Sequence, residues 1–107
     1  MATFEITNDN FDSVVMKSSK PVVIDVHAVW CGPCQMMAPV FEQLAEERGD
    51  RYTFASMNVD ETRDLSIKFG ITSVPTFIFI KDGVVKAKET GYMSKETLIE
   101  KIESHLG

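Results

Sequence analysis

The chain has 107 residues, 44% of them apolar, and carries 11 Lys and Arg against 16 Asp and Glu, a formal charge of -5. That size is expected for one compact domain over 1–107, and the acidic balance disfavours a sequence-independent grip on nucleic acid or an anionic membrane, since both need a basic surface. Met1-Ala2-Thr3-Phe4-Glu5 offers neither a basic start nor an apolar stretch, and no apolar run approaches the roughly 20 residues that span a bilayer. With an initial Met arguing against a removed leader, the expected location is cytoplasmic.

No repeat, low-complexity tract or Pro/Gly/Ser-rich linker divides the chain. Asn8 or Asp9 can cap a short helix whose apolar residues Phe11, Val14 and Val15 share a face, ending by Pro21. Val22-Val23-Ile24-Asp25-Val26 is a β-branched run without alternation, as expected of a strand covered on both faces, and only Asp25 breaks its apolarity. After Cys34, residues Met37, Phe41, Leu44 and Arg48 form one helical stripe, with Pro39 inside it to kink the helix and Gly49 to stop it.

Phe54-Ala55-Ser56-Met57-Asn58-Val59 reads as the next strand, completing a β-α-β crossover, and Asp60 can cap a helix that carries Leu65 and Phe69 and ends at Gly70. Thr76–Ile80 and Val84–Ala87 flank Asp82-Gly83, a dipeptide suited to the positive φ angles of a tight hairpin. Ser94 can cap a last helix that buries Leu98, Ile99, Ile102 and Leu106. The sum is an α/β fold, β-α-β-α-β-α-β-β-α, with a central mixed sheet flanked by helices.

Two cysteines are too few for a disulfide scaffold. The pair Cys31-Gly32-Pro33-Cys34 at a strand-to-helix junction reads as a redox dithiol, as half of a metal site, or as two small core residues. Residues three apart on a helix have Cα atoms about 5 Å apart, inside the span of about 4.4 to 6.8 Å that a disulfide accepts. Cys31 falls at the first helical turn, where free N–H groups and the positive dipole end favour a thiolate, which makes it the attacking sulfur. Cys34, one turn further in, is placed to resolve the mixed disulfide. A zinc or iron–sulfur site would need further ligands, and the chain adds only His27 and His105, so no metal is expected.

Asp25, Ala28, Trp30-Cys31-Gly32-Pro33-Cys34, Ala38-Pro39, Asn58-Val59-Asp60, Val74-Pro75-Thr76, Lys81-Asp82-Gly83 and Gly91 resemble the thioredoxin family in order and spacing, over nearly the whole chain. The resemblance implies a thiol–disulfide oxidoreductase that reduces client disulfides, with Gly32-Pro33 favouring a reductant over the glutaredoxins, isomerases and oxidases of the same fold. It further implies that Pro75 is cis and faces the disulfide, against the alternative of an ordinary trans proline before a strand. Val74 would offer its backbone to an extended client segment, and Trp30, Gly32, Pro33 and Gly91 would form a flat rim around Cys31.

In the same family reading Asp25 is the base that helps to deprotonate Cys34. The alternative is a carboxylate satisfied at a strand end. No bound cofactor is implied beyond the redox disulfide. Electrons would come from NADPH through a separate flavin-containing thioredoxin reductase, and clients would include peroxiredoxins, methionine sulfoxide reductase and ribonucleotide reductase, met by a monomer. A non-catalytic binding module is the competing reading from another class.

The chain departs from the family pattern at His27, where an aromatic is usual, and at Gln35 and Ser56, where lysine is common. Loss of two ammonium groups removes Coulomb support for nearby anions, tuning both Cys31 and Asp25. His27 shares a strand face with Asp25 by period-two alternation and is expected to bond Asp60 and to couple the site to pH; a half-buried histidine without catalytic effect is the alternative. Among the methionines, Met36, Met37 and Met93 either soften the contact surface or fill the core.

Overall fold

A computed structural model describes residues 2–107. Its strands are β1 Phe4–Glu5, β2 Val22–His27, β3 Thr53–Asn58, β4 Thr76–Lys81 and β5 Val84–Thr90, and its helices are α1 Gly32–Arg48, α2 Arg63–Lys68 and α3 Lys95–Leu106. A π-helical turn, Asp12–Met16, fills the helical place after β1, so the order of elements is the one the sequence predicts. The sheet runs β1-β3-β2-β4-β5. β1 and β2 pair parallel to β3, while β4 pairs antiparallel to β2 and β5 to β4, which makes the sheet mixed.

β2 lacks polar alternation because both its faces are covered. Val23 packs with Met37, Phe41 and Leu44 of α1, Phe54, Phe77 and Phe79 of neighbouring strands, and Leu98, Ile102 and Leu106 of α3. Val22, Ile24 and Val26 point the other way, into a second cluster with Phe11, Val15, Met57, Ile78 and Ile80. Asp25, two residues from Val23, therefore lies on the α1 face.

Three element boundaries differ from the sequence reading. Neither Asn8 nor Asp9 caps the first helical segment: Thr7 N donates to Asn10 Oδ1 at 2.7 Å and Asn10 N to Thr7 Oγ1 at 3.1 Å, a reciprocal turn that hands over to Phe11 with no side-chain cap. Lys17 N then bonds Asp12 O at 2.9 Å, the five-residue spacing of a π turn. Asp60 does not cap α2 either; Thr62 holds that position without a side-chain cap bond, because its hydroxyl donates to Asn58 O at 2.8 Å. The last hairpin strand continues to Thr90, three residues beyond Ala87. A bulge leaves Lys86 between the pairs Phe79–Ala87 and Ile80–Val85, which hides the alternation a sequence pattern relies on.

Other local signals act as read. Asp82 (φ 53°) and Gly83 (φ 75°) form the hairpin turn with two positive φ angles. Gly70 (φ 67°) ends α2, with Ile71 N on Ser66 O and Gly70 N on Ile67 O, the double bond of a Schellman motif. Ser94 Oγ accepts from Thr97 N at 3.2 Å and caps α3. Among the described residues, no helix is long and apolar enough to cross a membrane.

Candidate active site

The turn after β2 delivers Cys31 to the N-cap of α1. Its backbone is extended (φ −94°, ψ 113°), and its sulfur accepts the N–H of Cys34 at 3.2 Å, one of the donors that a helix start leaves unpaired. Pro33, in the first turn, supplies a fixed φ where its missing N–H costs nothing. Cys31 and Cys34 are disulfide-bonded with Cα atoms 5.2 Å apart, as the helical spacing predicts. Both are nearly buried, and their shared cluster is completed by Ala28 and by the flanking Val59 and Val74.

The peptide bond Val74–Pro75 is cis. The Val74 carbonyl oxygen lies 3.7 Å from Cys31 Sγ, and Gly91 N donates to Pro75 O at 2.9 Å, tying the loop before β4 to the end of β5. Gly91 has φ 96°, a conformation that excludes most side chains. Gly32 is different: a Cβ there would meet nothing within 4 Å, so the fold does not demand glycine.

Around this centre the surface is apolar. Trp30 is 69% exposed, Val29 67% and Met36 61%, beside a motif whose sulfurs are almost covered. Trp30 is fixed by its indole N–H, which donates to Asp60 Oδ2 at 3.0 Å. The expected His27–Asp60 bond is therefore wrong. His27 Nε2 instead meets Ser56 Oγ at 2.8 Å, and Asp60 is engaged by Trp30. Gln35 Nε2 donates to Val29 O at 2.7 Å, bracing the turn that carries Trp30. Met37 is core and Met93 packs against it, leaving Met36 as surface.

Sequence reasoning passed over a groove of about 400 Å³ beside Trp30, lined by Val59, Ser66, Ile71, Thr72, Ser73 and Val74. Apolar residues on both flanks of the Val74-Pro75 loop were the available signal, but folding alone brings them to Trp30.

Behind the disulfide a second cleft of about 670 Å³ is lined by Asp25, His27, Cys34, Gln35, Phe41 and Ser56 among others. Asp25 is 4% exposed, and its Oδ1 has no hydrogen-bond partner among the described residues. Loss of hydration raises its pKa from 3.8 to about 7. Burial lowers that of His27, while the charges of Glu5 and Glu61 raise it in part.

A mixed sheet that sets a cystine at a helix N-terminus, opposite a cis-proline loop and within an exposed apolar rim, defines a thiol–disulfide exchange protein. The thioredoxin family profile matches residues 2–104. The chain is 40% identical to a thioredoxin of Chlorobaculum thiosulfatiphilum over 97% of its own length and 96% of that protein. It is 45% identical to a thioredoxin of Alicyclobacillus acidocaldarius over 91% of each. With the chloroplastic M-type thioredoxin of Pisum sativum it shares 39% identity over 95% of its own length and 60% of the relative's. The chain belongs to the thioredoxin family. Its activity is that of a protein-disulfide reductase, whose redox group is the Cys31–Cys34 pair and whose partners are a reductase and disulfide-containing clients.

Proposed function

We propose that one domain, 1–107, reduces clients by two successive exchanges in which Cys31 attacks and Cys34 resolves. The observation that carries this assignment is Cys31 at the N-cap of α1, where the Cys34 N–H reaches its sulfur, with Cys34 one turn inward. The Cys31 thiolate attacks one client sulfur, the client S–S bond breaks, and the other client sulfur leaves as a thiolate that takes a proton from water. Cys34 then loses its proton to the Asp25 carboxylate and forms the S–S bond to Cys31, and the second client sulfur departs. Two electrons pass to the client, and the protein is left as the cystine.

Asp25 suits the base role because a carboxyl held at about 7 is ready to exchange a proton near neutrality. An extended client strand would lie along Val74 and Pro75, with Trp30, Gly32, Pro33 and Gly91 as the flat rim. Asp60 supports Trp30, and Gln35 supports the turn. NADPH, through a separate flavin-containing thioredoxin reductase, would return the dithiol. Peroxiredoxins, methionine sulfoxide reductase and ribonucleotide reductase are the client classes proposed, met by a cytoplasmic monomer without nucleic acid or membrane.

Insulin reduction tests the assignment. Cys31→Ser should abolish turnover, whereas Cys34→Ser should retain one attack and accumulate a client-linked adduct visible by intact mass. An adduct formed by Cys31→Ser instead would reverse the roles.

A further inference from the structure

Sheet register sets Glu5, Ser56 and Asp25 side by side on β1, β3 and β2, and Asn58 beside His27 two residues further along. Alternation turns all five side chains to the α1 face, and all five line the cleft behind Cys34. The imidazole does not stay over its own pair. Nε2 reaches Ser56 Oγ at 2.8 Å, the hydroxyl on the residue paired with Asp25. The titratable groups that share this cleft with His27 are Glu5 from β1, Asp25 from β2, Cys34 and Glu42 from α1, and Glu61 after β3. Among the described residues that line it, His27 is the one nitrogen base.

A carboxyl at 4% exposure, with Phe77 paired on the other side of its strand, needs an exit for any proton it takes up. The cleft has room for water, and its lining takes in Ser56 and the half-buried imidazole together with the exposed Glu5 and Glu61. We propose that His27, oriented by Ser56, is the relay through which the proton that Asp25 takes from Cys34 reaches solvent. This inference rests on the base role given to Asp25. During resolution the proton moves from Cys34 Sγ to the Asp25 carboxylate, then to the imidazole and to water. The Cys34 electron pair closes the disulfide, and the client sulfur leaves with the pair of the bond it loses. His27 touches neither client nor sulfur, and is a positioning residue acting through Asp25. Burial raises the proton affinity of the carboxyl and lowers that of the imidazole, which favours uptake by Asp25 from Cys34 and release from His27 to water.

The test is stopped-flow oxidation of the reduced protein by excess 5,5′-dithiobis(2-nitrobenzoate), in which attack by Cys31 and resolution by Cys34 each release one coloured thiolate. In dilute buffer at pH 7, His27→Gln should slow the second release about tenfold, less than the roughly hundredfold of a group that itself takes the proton from the reacting atom, because His27 acts through Asp25. Added imidazole should restore it, and Ser56→Ala should show a smaller loss of the same kind. A parental second phase in His27→Gln, or a slow one that imidazole leaves unchanged, overturns the relay. Asp25→Asn separates the two levels: if it slows resolution while His27→Gln does not, only the relay fails, and if it leaves resolution at the parental rate, the base role fails with it.

Discussion

Asp25→Ala should make the protein more stable, by an amount set by pH. The carboxyl titrates at about 7 in the fold against an ordinary 3.8. At 1.36 kcal/mol per pH unit, that gap corresponds to about 4 kcal/mol. A raised acid binds its proton more tightly in the folded state, so the neutral form stabilises the fold in acid. That contribution is lost as pH rises from about 4, where the unfolded chain ionises, to about 7, where the folded one does. The parent therefore carries the full penalty above pH 8 and almost none at pH 3. Relative to it, Asp25→Ala should gain little at pH 3 and about 4 kcal/mol at pH 8.5, with a small loss of packing common to both. Urea unfolding of the oxidised parent and variant across this range gives the difference directly, because titrating groups that do not interact with Asp25 cancel. Two stability curves separated by a constant amount would refute the reasoning, since a constant offset reflects packing and not ionisation.

Phe41 meets Phe54 edge-on at 5.4 Å between centroids and Phe77 at 6.2 Å under α1, so Phe41→Ala should cost about 3 to 5 kcal/mol in urea unfolding. Gly70→Ala should cost about 1 to 2 kcal/mol by the same method, because φ +67° crowds a Cβ against its own backbone whatever space surrounds it. Glu89 is held below its ordinary pKa first by its hydrogen bond with His105, at 2.9 Å, and also by Lys101. A depressed acid stabilises the fold above its unfolded pKa, so the stability that Glu89→Gln removes at pH 6 should vanish as pH falls through the folded pKa, as thermal melts would show.

Much of the fold is legible because its signals are local. The unalternated run at Val22–Val26, the turn pair Asp82-Gly83 and the caps at Ser94 and Gly70 each declare themselves within a few residues, and each is found where read. The cysteine spacing likewise fixes a Cα separation that the helix delivers at 5.2 Å. Failures came where side chains had more than one partner in reach. Asp60 could cap a helix, bond a histidine or hold an indole, and only the packed loop chose Trp30. His27 has the same ambiguity: β2–β3 register sets it opposite Asn58, and its ring reaches diagonally to Ser56 at 2.8 Å.

The sequence by itself determined the order of elements and the pairing of Cys31 with Cys34, since periodicity, turn chemistry and helical rise depend only on neighbours along the chain. Tertiary structure alone decided what surrounds that pair. The proline loop at Val74-Pro75 and the Asp60 that holds the Trp30 indole come from distant segments, and Asp25 reaches the cleft behind Cys34 from the strand before it. The contact of Val74 with the disulfide, and the burial that lifts Asp25 to about 7, exist only once sheet register and helix packing bring these segments together.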